Sequence, residues 1–116
     1  MYVVSQDQLP NPNEFEGANH AGVGISFFLV NASPGGGPDL HKHAYAEVFI
    51  LLEGEATFIA GGEERQVRAG EIVVVPDDTP HRFFNSGQGQ LRQIAIHVSP
   101  HFVTEWLGHD DNQEST

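Results

Sequence analysis

The chain has 116 residues, 39% of them hydrophobic, with sixteen acidic side chains against five basic ones and a formal charge of −11. That length suits one domain with no room for a second catalytic or DNA-reading module, and the charge opposes binding to nucleic-acid phosphates or anionic membrane surfaces. With no cysteine, disulfides, thiolate nucleophiles, iron–sulfur clusters and Cys-ligated zinc are excluded, so any metal must be held by nitrogen and oxygen.

The start, Met1-Tyr2-Val3-Val4-Ser5-Gln6-Asp7, has neither the basic residues nor the apolar stretch of a secretory leader. No later run approaches the ~18 apolar residues of a membrane span, and a soluble, cytoplasmic protein is expected. Tyr2-Val3-Val4 is a candidate short strand. Residues 5–20, with Pro10, Pro12 and Gly17 and no sustained period, read as the rest of an arm over 1–20 laid against the body, with His20 at the surface. From residue 21 to 108 the chain reads as the folded domain. Short β-rich runs there, broken by Gly and Pro, predict strands over 23–31, 38–43, 47–52, 55–60, 64–68, 71–75, 80–85 and 91–98, an all-β pattern. Gly61-Gly62 is a natural hairpin turn between two of them. Ser99-Pro100, followed by Phe102, Val103, Trp106, Leu107 and a closing Gly108, has the cap, first-turn proline and terminator of one short C-terminal helix. Its apolar face would close an end of the barrel or meet a partner. The polar tail, 109–116, is expected to be mobile.

The chemistry concentrates between residues 34 and 85. His41 and His43 stand two apart, a spacing that puts both imidazoles on one side of a strand, roughly 7 Å apart at the backbone. Glu47 would lie ~13 Å beyond His43 on a straight strand, so the chain must bend at Ala44-Tyr45-Ala46 for all three to meet. Strand parity then turns Phe49 and Leu51 inward too, as lining of an apolar cavity. His81, after the stiff Pro80, supplies a fourth nitrogen. Taken alone, the same histidines are equally readable as exposed residues or as hydrogen-bonded core residues.

The order and spacing of these residues resemble the two sequence motifs of the cupins. The first reads Gly35, five residues, His41-Lys42-His43, three residues, Glu47, six residues, Gly54; the second reads Gly70, five residues, Pro76, then His81, three residues and Asn85. Nine of ten fixed positions agree. The exception is Asp78, which stands where the family has Gly; Asp tolerates the positive φ that such a turn requires better than most residues. The resemblance covers about residues 20–100 and implies a double-stranded β-helix, the cupin jelly-roll barrel. It also implies one divalent metal ion on His41, His43, Glu47 and His81, and a homodimer with exchanged N-terminal strands.

Three imidazoles and a carboxylate can hold Fe, Mn, Zn, Ni, Co or Cu and leave open coordination positions. The expected activity is that of a dioxygenase-like oxidoreductase acting on a small molecule that chelates the ion, with Glu47 as the catalytic proton acceptor. A metal-bearing module that only binds a metabolite is the alternative. A sugar isomerase or epimerase would need a basic residue in the cavity, and only Arg82 and Arg92 remain once Lys42 alternates away. On 91–98, Gln93, Ala95 and His97 form a polar face, either solvated or turned to the cavity. Phe49, Leu51, Phe83, Gln93 and His97 are the candidate substrate contacts, although Phe83, like Phe27 and Phe58, also reads as core. Gln66 and Arg68 read as solvated and His101 as a surface residue.

Overall fold

The structure is a computed structural model and describes residues 1–108; the tail expected over 109–116 lies outside the described residues. The β-rich runs form antiparallel strands: β1 (Glu14–Phe15), β2 (Ser26–Ala32), β3 (Leu40–Lys42), β4 (Glu47–Glu53), β5 (Glu55–Ala60), β6 (Glu63–Arg68), β7 (Ile72–Val75), β8 (His81–Asn85), β9 (Leu91–His97) and β10 (Glu105–Gly108). Two five-stranded sheets result, ordered β1-β2-β9-β4-β7 and β10-β3-β8-β5-β6, and they face one another as a jelly roll. All eight anticipated strands are present. The residues between β3 and β4 make the anticipated bend, and Gly61 and Gly62, with φ of 57° and 83°, close the hairpin from β5 to β6, as a type I′ turn requires.

The period of two decides what meets inside. Glu47, Phe49 and Leu51 of β4, His81 and Phe83 of β8, and Leu91, Gln93, Ala95 and His97 of β9 are all buried, while the residues between them face outward. The apolar members join Ala56, Phe58, Val67 and Val75 in one core, each large side chain contributing about 1.5–3 kcal/mol on burial. Register sets the polar end: His97 lies opposite Glu47, and His41 lies opposite His81. One end of the barrel is therefore packed hydrocarbon and the other carries imidazoles and a carboxylate.

Two motif positions explain themselves through the backbone. Gly54 has φ of +85°, and a Cβ there would collide with the Gln90 carbonyl oxygen. Asp78 takes φ of +56°, the left-handed conformation anticipated for the residue that replaces Gly, and its N–H donates to the His43 carbonyl at 2.7 Å.

Four expectations are corrected. Residues 99–108 form no helix; they end in β10, which pairs antiparallel with β3. The Ser99 carbonyl accepts from the Ser26 hydroxyl at 2.9 Å and the Pro100 carbonyl from the Ala18 N–H at 2.8 Å. With its first carbonyls spent elsewhere and a free edge on β3 beside it, the segment gains a ladder that a helix of this length, marginal on its own, does not replace. Tyr2–Val4 is not a strand. It is held instead by the Tyr2 hydroxyl on His20 Nδ1 at 2.6 Å, while β1 takes the sheet edge beside β2. That same contact, with the Phe15 ring stacked at 4.4 Å, buries His20, which is not a surface residue. Phe27 points to this side too, stacked on Phe15 rather than in the barrel core.

Candidate metal centre

His41, His43, Glu47 and His81 converge, all buried, with one ligand-capable atom from each lying within 4.8 Å of the other three. β3 delivers His41, and His43 follows directly at its end. The bend at 44–46 brings Glu47 back as the first residue of β4, and β8 opens with His81 after Pro80.

The imidazoles are oriented before any ion arrives. Nδ1 of His41 donates to the Asp39 carbonyl at 2.7 Å, Nδ1 of His43 to the Val103 carbonyl at 2.9 Å, and Nδ1 of His81 to the Thr79 carbonyl at 2.8 Å. A carbonyl only accepts, so each Nδ1 carries the proton and each neutral ring turns a bare Nε2 lone pair to the centre. Glu47 Oε1 stands 3.0 Å from His81 Nε2 and 3.1 Å from His43 Nε2, and His43 Nε2 is buried with no hydrogen-bond partner. Lone pairs facing a carboxylate repel unless a positive charge lies between them. Separations of this size are what two ligands at about 2.1 Å from one ion subtend at a right angle. The donor set fits a divalent metal.

Electrostatics favour the ligand forms of His41 and Glu47. Burial, reinforced by the neighbouring imidazoles, pushes His41 below the ordinary histidine range, which favours the neutral ligand form. For His43 burial acts the same way but is outweighed by the Glu47 carboxylate beside its Nε2 and by the hydrogen bond to the Val103 carbonyl, and the net direction is upward, towards a positive charge where an ion would sit. Burial would raise Glu47, yet three surrounding histidines, His43, His81 and His97, overcome it and hold the carboxyl far below the usual carboxylate range.

Beside the cluster is a cavity of about 280 Å³ walled mainly by carbon: Phe28, Leu29, Val30, Pro38, Phe83, Ala95 and Trp106, with His41, His43, Glu47, His97 and Thr104 as its polar margin. Of the expected contacts, Phe83 and His97 lie on this wall. Phe49, Leu51 and Gln93 do not: Phe49 and Leu51 belong to the core, where the Phe49 ring supports His81 at 6.3 Å between ring centroids. Gln93 is 1% exposed and neither amide atom has a partner; it sits one inward position from Ala95 and opposite Val30. None of the five Lys and Arg residues lines the cavity. Arg92 is half exposed beside Glu53 at 3.7 Å, and Arg82 lies over the Phe84 ring.

Sequence reading missed several participants. Phe28 and Thr104 carry no motif, and Trp106 was assigned to a helix. Tyr45 was assigned only to the turn, but its hydroxyl bonds His97 Nδ1 at 2.7 Å; a phenol within the His/Glu motif is the one signal that could have pointed to it.

Comparison with known proteins places this geometry in context. A family model described as "Cupin domain" matches residues 28–97. "Protein SchB" of Streptomyces halstedii is 30% identical over 97% of this chain and 88% of its own length. "Polyketide synthase CurC" of Streptomyces cyaneus is 35% identical over 73% of this chain, which spans only 55% of that protein. Among solved structures, the Bacillus subtilis oxalate decarboxylase described for its Mn(II) centres superposes with a TM-score of 0.72 at 25% identity, over 81% of this chain and 27% of that one. Jelly-roll sheets, motif spacing and the family match over residues 28–97 lead to one assignment: the protein belongs to the cupin family.

Proposed function

We propose that the protein is a metal-dependent oxidoreductase of dioxygenase type, acting on a small, uncharged, largely apolar molecule whose two neighbouring oxygens reach the His41–His43–Glu47–His81 cluster. The observation that carries this reading is the pairing of an oriented three-imidazole, one-carboxylate donor set with a carbon-walled cavity that no cation lines. A small dianion such as oxalate brings two negative charges against the single net positive charge that a divalent ion keeps beside Glu47, and the wall adds no further cation. A catechol, flavonol or β-diketone does not, and 280 Å³ exceeds what oxalate fills. The relative named as a polyketide synthase supports the same class, because polyketides carry oxygens at chelating spacing.

A divalent ion bound there supplies Lewis acidity, a chelation template and, for Fe(II) or Mn(II), a route for electrons to dioxygen; the Mn(II) centres of the structural relative favour manganese or iron. Glu47 is ionised at neutral pH and is the group that takes the proton of an incoming enol or phenol hydroxyl. Phe83 packs the substrate's apolar body, Phe49 and Leu51 back that wall from the core, and Gln93, enclosed behind Ala95, would meet the substrate only if a group displaced the wall there. His97 lies on the cavity's polar margin. A cytoplasmic setting and a homodimer complete the reading. The dimer is supported by edge strand β7, which exposes Ile72 and Val74, and light scattering tests it. Among the described residues no helix is long and apolar enough to cross a membrane.

The test is oxygen uptake by protein loaded with Fe(II) or Mn(II), against a catechol, flavonol and β-diketone panel with oxalate alongside. Uptake above free metal that is lost in His81→Ala supports the proposal. Thermal-shift binding with no product replaces it with the metabolite-binding module, and turnover of oxalate alone refutes the substrate class.

A further inference from the structure

The two oxygens of Glu47 are not equivalent. Oε1 faces the Nε2 atoms of His43 and His81. Oε2 faces away from them, 3.1 Å from Nε2 of His97, a residue 3% exposed that contributes no atom to the converging cluster. The other nitrogen of His97 is 2.7 Å from the Tyr45 hydroxyl, and that hydroxyl is 3.1 Å from the Val103 backbone nitrogen.

Proton bookkeeping gives this chain a direction. The Val103 N–H can only donate, so the Tyr45 oxygen accepts it. A carboxylate can only accept, so a hydrogen bond at Oε2 requires the proton of His97 on Nε2. In a neutral imidazole Nδ1 of His97 is then the acceptor, and the Tyr45 O–H donates to it. Every group has one role that satisfies its neighbours, and reversing the middle bond would set His97 Nε2 lone pair to lone pair against Glu47.

We infer that His97, set in one tautomer by Tyr45, is a positioning residue that holds Oε2 of Glu47 and so presents Oε1 alone to the metal. The two backbone groups of Val103 act on two ligands at once: its carbonyl accepts from His43 Nδ1, and its N–H starts the chain that ends at Glu47. The segment that leads into β10 thereby sets ligand geometry on both sides of the cluster. This inference rests on the four residues holding an ion and is independent of whether the ion supports oxidation.

Full-length protein titrated with Mn(II) by calorimetry and with Co(II) by its visible absorption tests it. Tyr45→Phe keeps the ring, stacked on His43 at 4.9 Å, and removes only the hydroxyl; His97→Gln keeps an N–H donor; His97→Phe removes it. Loss of such an outer hydrogen bond weakens metal binding about 10–100-fold. The expected result is that loss for His97→Phe and Tyr45→Phe, with an altered Co(II) spectrum, and recovery of most of the affinity and spectrum in His97→Gln. Tyr2→Phe, which deletes a similar Tyr–His bond to a histidine outside the cluster, leaves both unchanged. Far-UV circular dichroism establishes that each variant is folded. Wild-type affinity and spectrum in both Tyr45→Phe and His97→Phe overturn the inference, and so does failure of Gln to rescue, which would make His97 a direct ligand. A wild-type protein that binds neither ion removes the metal reading itself, an outcome distinct from all of these.

Discussion

Gln93→Leu should make this protein more stable. The Gln93 amide is enclosed in the barrel with neither its nitrogen nor its oxygen paired, and each buried polar atom left unpaired costs about 1–3 kcal/mol. Leucine has a similar volume and enters a row already holding Leu51 opposite and Leu91 two residues earlier, so no cavity or overpacking penalty of consequence is introduced. Relief of the two penalties, discounted for imperfect packing of the branched side chain, stabilises the fold by about 2 kcal/mol. At ~4–8 °C per kcal/mol for a domain of this size, the melting temperature should rise by roughly 10 °C. Urea denaturation followed by far-UV circular dichroism, with the slope checked for constancy, measures the free energy directly. If Gln93 serves a ligand at the cavity floor, the same variant binds that ligand less well while its metal stoichiometry is unchanged, the usual exchange of stability for function. A loss of 1 kcal/mol or more would refute the reasoning, because it would mean that the amide is engaged by an enclosed water.

Two further outcomes follow from the geometry. Gly54→Ala forces a Cβ onto the Gln90 carbonyl at a backbone φ of +85° and should cost at least about 2–3 kcal/mol, read as a fall in the urea midpoint; Gly62→Ala, with positive φ but open space, should cost less. In metal-free protein the depressed Glu47 carboxyl means that the unfolded chain binds more protons than the native state once pH drops below its unfolded value of 4.5. That contribution to stability is therefore present above pH 4.5 and lost as pH falls towards the folded value. The urea midpoint of wild type should drop more steeply than that of Glu47→Gln between pH 5 and 3, and parallel profiles would count against the depressed carboxyl.

The strands were legible because a half-buried sheet writes its parity into the chain: Glu47, Phe49 and Leu51 inward, Val48 and Ile50 outward, can be read without coordinates. The metal ligands were legible only through their motifs: two histidines at i and i+2 and a glutamate past a bend also read as exposed or core residues, until Gly35, Gly54, Gly70, Pro76, His81 and Asn85 at fixed spacings complete the resemblance to the cupins. Asp78 could be anticipated at positive φ because that demand belongs to a single residue. Residues 99–108 were misread because Ser, Pro and Gly signal helix ends in any context, whereas the strand over Glu105–Gly108 depends on a vacant edge of β3 more than sixty residues away. The burial of His20 by Tyr2 and the bond from Tyr45 to His97, 52 residues apart in sequence, are equally non-local. No window of sequence contains them.

Because the same inward row of β4, β8 and β9 carries hydrocarbon at one end and metal-facing groups at the other, these strands behave like text with a fixed reading frame. Insertion or deletion of one residue within any of them would turn core and chemistry outward together. Length variation in descendants of this chain is therefore confined to its turns, and a designer wishing to enlarge the cavity must exchange side chains at Phe28, Val30 or Ala95 in place rather than lengthen a wall.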